Sequence, residues 1–173
     1  TTLFRSSPLI NRTIRVERED GPLLGNIVET ISGQLRFSRL RRGEKGPITR
    51  PKNDDRLYKD DLITVVGTQD AVNQAIKAVG HGSSHSLIED RKYLDFRRIT
   101  VSDPKLAGRT IGELDIDHHF GATISRVRRG DVDMVVASRY AEDGTSEGLA
   151  DWFFESADSG ALARYLDTFT ETV

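Results

Sequence analysis

The stretch Phe37-Ser38-Arg39-Leu40-Arg41-Arg42-Gly43-Glu44 returns as Ile124-Ser125-Arg126-Val127-Arg128-Arg129-Gly130-Asp131, with each position identical or conservatively changed. Nothing else in the chain constrains its fold as strongly, because duplicated sequence implies a duplicated structural unit. The flanks align too. Upstream, Leu23-Leu24-Gly25-Asn26-Ile27-Val28 parallels Leu106-Ala107-Gly108-Arg109-Thr110-Ile111, and each is preceded by a β-rich run, Thr13 to Val16 and Arg98 to Val101. Downstream, a helical pattern from Asp70 to Ile76 parallels one from Asp158 to Leu166. The second copy carries four extra residues around Asp115-Ile116-Asp117-His118-His119.

Each copy therefore reads as a strand, a short glycine-led helix, an Arg-rich strand, a turn, one or two further strands and a closing helix. Strands and helices mixed in so short a unit predict an α+β fold. The expected divisions are a lead-in over 1–12, a first domain over 13–80, a linker over 81–92, a second domain over 93–168 and a tail over 169–173. Between the copies runs Gly80-His81-Gly82-Ser83-Ser84-His85-Ser86, a polar run without apolar periodicity and with the composition of a flexible connector. In the first copy, turns are expected at Gly43 to Pro47 and Pro51 to Asp55. Leu62 to Val66 is the best core strand; Asp70 is expected to cap a helix burying Ala71, Val72, Ala75, Ile76 and Val79. In the second copy, Asp151 interrupts the run from Leu149 to Glu155, which suits an edge or interface strand.

Composition narrows the function. The 173 residues contain no Cys, which removes disulfides, zinc knuckles and thiol nucleophiles. No run approaches the ~20 apolar residues of a membrane helix. The chain opens Thr1-Thr2-Leu3 without a basic-then-apolar leader, and is expected to be a piece of something longer. Residues 1–130 hold 23 Lys+Arg against 17 Asp+Glu, whereas residues 131–173 hold 2 against 10. The basic residues are scattered and aromatic content is 7%, so the basic stripe with stacking rings that marks nucleic-acid binding is missing. No Gly-x-Ser-x-Gly elbow, Gly-x-Gly-x-x-Gly, Walker lysine loop or marked carboxylate pair appears, and the chain is expected not to be an enzyme.

The densest charge signature lies in the repeat. Guanidinium forks suit phosphate or carboxylate, so Arg39, Arg42, Arg126 and Arg129, with Asp131 at the following turn, are candidate ligand-binding residues for a small anion or nucleotide. Strict alternation places Arg39 and Arg41 on one face with Phe37, and Arg42 on the other with Ser38 and Leu40. The competing reading is a solvated strand end paired with Asp and Glu. His118 and His119, beside Asp115 and Asp117, are further candidates, but adjacent residues splay apart, so no metal site is expected there. Gly108 to Glu113 reads as a turn entering a short helix rather than a phosphate loop. No cofactor is identified.

The repeated unit resembles the TrkA-C domain, the C-terminal ligand-sensing module of the RCK (regulator of conductance of potassium) system. The likeness lies in Leu106 to Leu114 after a β-start, in Ile124 to Arg129 with its Gly130-Asp131 turn, and in Asp60-Asp61-Leu62-Ile63-Thr64-Val65-Val66-Gly67 before a helix. Two tandem TrkA-C-like copies without a Rossmann half look most like the central cytoplasmic segment of the aspartate:alanine exchanger family. The resemblance implies a regulatory domain pair on the cytoplasmic face of the bacterial plasma membrane. It also implies membrane helices of the same chain as partner, a homodimer, and a small-molecule ligand. The alternative it leaves is a gating module of a potassium or other cation uptake or efflux system.

Overall fold

A computed structural model describes residues 8–32, 34–101, 105, 111–115, 118, 123–129, 132–135 and 150–156. Two compact units emerge, one within Ser7–Tyr93 and the other beginning at Leu94. The first unit runs β1 (Ile10–Val16), α1 (Leu24–Thr30), β2 (Leu35–Arg41), β3 (Ile48–Thr49), β4 (Leu62–Gly67), α2 (Gln69–Val79) and β5 (Gly80–Gly82). Its sheet has the order β3-β2-β4-β1-β5, and every described pairing is antiparallel.

The unbroken apolar run of β4 follows from its central place. Leu62, Ile63, Thr64 and Val65 are all buried, so both faces of the strand are covered and alternation has no solvent side to serve. One face carries Ile14, Val16, Phe37, Leu40, Ile63 and Val65 into a core with Leu24, Ile27 and Ile31 around α1 and Ala71, Val72, Ala75 and Val79 from α2. Ile76 packs at the margin of that core. The helix starts two residues earlier than the sequence suggested. Thr68, extended at ψ 155°, occupies the capping position without a side-chain cap bond, and Asp70 lies inside the first turn, where its charge complements the helix dipole. Gly67 ends β4 because a Cβ there would run into the Gln34 carbonyl oxygen.

A bulge corrects the face assignment within the Arg-rich strand. Phe37 pairs with Val65 but Arg39 pairs with Thr64, so Ser38 is the extra residue. Strict alternation fails there: Phe37 and Leu40 share the helix-covered face, and Arg39 and Arg41 lie on the opposite one. Period two holds only while each strand contributes one residue per rung.

The segment expected to be a flexible connector is instead built into the first unit. Residues Gly80–Gly82 form β5 on β1, and Ser83 N–H continues the pairing to Thr13 O at 2.8 Å. Leu87 is buried, and its N–H donates to Thr13 Oγ1 at 3.3 Å. That hydroxyl also bonds Thr64 Oγ1 at 3.0 Å. Apolar periodicity could not reveal this, since one leucine and main-chain pairing do the anchoring.

The second unit contains β6 (Asp95–Val101), α3 (Ile111–Leu114), β7 (Thr123–Arg129), β8 (Val132–Val135) and β9 (Ala150–Ser156). Its order β6-β9-β7-β8, read from the other edge, matches β1-β4-β2-β3 strand for strand. A register shift between Ile124 and Arg126 puts its bulge at Ser125, the counterpart of Ser38. The strand carrying Asp151 is central rather than at an edge: β9 pairs with both β6 and β7, and Asp151 stands opposite Thr100 and Arg128. The closing helix expected from Asp158 to Leu166, residues 136–149 and the tail 169–173 lie outside the described residues.

Candidate functional site

Two arginine arrangements stand at the end of β2, on a scaffold made by the turn before β4. Main-chain bonds lay residues 53–57 along 21–25: Gly25 N–H donates to Asn53 O at 2.9 Å, Leu24 N–H to Asp55 O at 3.0 Å, and Leu57 N–H to Pro22 O at 3.4 Å. Leu57 is wholly buried and nails this layer to the core. The chain then turns through Asp60, at φ 68° in the left-handed region, and delivers Asp61 beneath the end of β2.

Asp61 is the hub of the first arrangement. Its carboxylate, 4% exposed, accepts from Arg42 Nη1 at 2.6 Å, from Tyr58 N–H at 2.9 Å and from Gly43 N–H at 3.3 Å. Arg42 Nη1 also donates to Arg56 O at 2.7 Å, and its Nη2 lies 3.6 Å from Asp55 Oδ1. The guanidinium sits 5.5 Å from the centroid of the Tyr58 ring. Arg42 is thus engaged in holding the β3–β4 connection to the strand end, by contacts a free ligand would have to displace.

The second arrangement lies on the sheet face away from the helices. In register terms Arg15 and Arg41 flank Leu62, and Arg39 stands in the neighbouring row with Thr64 and Thr13. Arg39 is 1% exposed, which makes it one of the largest fully buried side chains. Arg41 Nη2 donates to Asp90 Oδ2 at 2.7 Å. Arg15 lies 3.6 Å from Asp60 and 3.8 Å from Glu44, looser than hydrogen bonds. Arg39 and Arg42, taken together from sequence, are therefore separated: one is buried on this face, the other clamped at the strand end.

In the second unit Arg126 is half-buried in β7 and stands opposite Phe153. Arg129 ends β7 opposite Val132, and its side chain lies outside the described residues, as do Asp131 and His119. His118 is exposed, with Nδ1 3.4 Å from Asp115 Oδ2. Among the described residues no group of three or more His, Cys, Asp or Glu could hold a metal ion. Sequence reasoning missed Asp61 and Asp90 as partners of the arginines. The pair Asp60-Asp61 directly before the core strand was the available signal for the first; nothing local marks Asp90.

Comparison with known proteins places these features in context. No family model matches the chain. It is 43% identical over 105 residues to an uncharacterized transporter of Cutibacterium acnes, a match covering 61% of this chain and 20% of that protein. It is 41% identical over 99 residues to an uncharacterized transporter of Geobacter sulfurreducens, covering 57% and 18%. A third, from Symbiobacterium thermophilum, is 34% identical over 125 residues, covering 71% and 23%. The chain thus spans about a fifth of the length of these relatives. Among solved structures, the RCK domain of GsuK aligns at TM-score 0.38 and 11% identity over 93% of this chain and 63% of that one. Among the described residues no helix is long and apolar enough to cross a membrane.

Proposed function

We propose that this chain is the regulatory part of a bacterial membrane transporter, formed by two tandem TrkA-C-like domains of the RCK type. The observation that carries the reading is the identity of 43% over 105 residues to a transporter of which the chain spans only 20%. A segment of that proportion, with two sheets of matching strand order, suits a module inserted in or appended to a transport protein. The finer assignment, to the aspartate:alanine exchanger type, rests on the sequence resemblance of the paired repeat.

In this reading the domains lie on the cytoplasmic face, pair as a homodimer, and catalyse nothing. Their work is linkage: a small anionic ligand or nucleotide that prefers one arrangement of the domains biases the attached membrane helices by a coupling of about 1–3 kcal/mol. A thermal-unfolding screen of the chain against nucleotides, amino acids and cations tests the sensing step. A ligand at 100 times its dissociation constant adds about 2.7 kcal/mol, a rise of several degrees in the midpoint. Excising the segment from a whole relative such as the Geobacter transporter tests the regulatory step. Transport that keeps its rate and its ligand response without the segment would overturn the reading.

A further inference from the structure

The connection that leaves β5 crosses the sheet face away from the helices and is held there at two points. Leu87 docks at Thr13 on β1, and Asp90 reaches Arg41 on β2, with β4 between those strands. Asp90 Oδ1 also accepts the Lys92 N–H at 3.2 Å, which braces the turn that follows. Residues 83–92 therefore form a strap with a hydrophobic end and an ionic end.

The ionic end is incompletely matched. Arg41 is 16% exposed, its Nη2 holds Asp90, and its buried Nε has no acceptor among the described residues. A guanidinium presents Nε–H and one Nη–H side by side, a fork that a phosphate or carboxylate fills with two parallel bonds. Asp90, tethered by its own strap, fills one prong. Arg15 adds a second guanidinium to this face, and the carboxylates of Asp60 and Glu44 stay at 3.6 and 3.8 Å from it, beyond hydrogen-bond distance.

We propose that Arg41 is an oxyanion site kept closed by Asp90: a phosphate-class anion that engages both Nε and Nη2 displaces the aspartate and frees the strap of residues 83–92. This deepens the regulatory reading above by giving it a ligand class and a moving part. The strap is the stretch of chain that leaves the first unit, so its release changes the tether that precedes Leu94.

The test uses the full 173-residue chain with inorganic phosphate, against chloride at equal ionic strength, and follows tryptic cleavage after Arg91 and Lys92 by mass spectrometry. Phosphate at ten times its dissociation constant should accelerate cleavage there roughly tenfold. Asp90→Ala should be cleaved rapidly with or without phosphate, and Arg41→Gln should show no response. If Arg41→Gln fails to fold, Arg41→Lys keeps the charge but lacks the fork, and should likewise lose the phosphate effect. Unchanged cleavage of the wild type in phosphate, a phosphate response surviving in both Arg41 variants, or full protection in Asp90→Ala would each overturn the proposal. The regulatory reading is judged separately, by transport in the segment-deleted transporter.

Discussion

The two units share a wiring diagram but not the fittings at its ends. Both run a central strand between the first strand and the Arg-rich strand, and both place a bulge at the serine before the first repeated arginine. Yet the position equivalent to Asp61, the buried hub of the first unit, is Ala150 in the second, as the rungs Arg41 to Leu62 and Arg128 to Asp151 establish. Leu62 and Thr64 likewise correspond to Asp151 and Phe153. Topology is set by the ladder, and it survives replacement of the Asp61 carboxylate by the Ala150 methyl at the equivalent position.

The sharpest way to break this comparison is Asp61→Ala. It strands Arg42 and removes the acceptor of two main-chain N–H groups, and should cost the first unit about 2–4 kcal/mol. Hydrogen exchange should then accelerate in β4 and stay unchanged in β9; equal acceleration in both would show that the units do not unfold separately. Leu87→Ala comes next. The lost burial and the cavity should cost about 2–3 kcal/mol and strip protection from the strap, measured by denaturant unfolding and by exchange at residues 83–92.

Ala150→Asp asks the converse question. If the second unit can use a carboxylate as the first does, the substitution should stabilise it by up to about 1 kcal/mol, seen as a higher denaturation midpoint confined to β7 and β9 amides. A loss would mean that equivalence of register does not extend to the strand end. Asp60→Gly should have the smallest effect, a gain of about 0.5 kcal/mol. Glycine relieves the left-handed φ of 68°, at the loss of only a loose pair with Arg15. A fall in thermal midpoint would show that the Asp60 charge matters more than its backbone.

Much of the first unit could be read along the chain. The core strand Leu62 to Val66, the turns at Gly43 and Pro51 and the buried side of α2 follow from short-range patterns, and the structure reproduces them. The arginines were legible as a group because three of them lie within four residues. Their division was not: the bulge at Ser38 has no sequence mark beyond a polar residue in a strand, yet it moves Arg39 and Arg41 to the face opposite Phe37 and Leu40. The partners Asp61 and Asp90 lie 19 and 49 residues from their arginines, beyond any local period.

By itself, then, the sequence determined that this protein is α+β, that its Arg-rich strand occurs twice and that Leu62 to Val66 is a core strand, because propensity, turn chemistry and repetition act over a few residues. The tertiary structure alone decided which arginine is buried, which is clasped and which holds a strap. Those outcomes depend on the register between strands far apart in the chain, and a single extra residue in one rung reverses the face on which every following charge is placed.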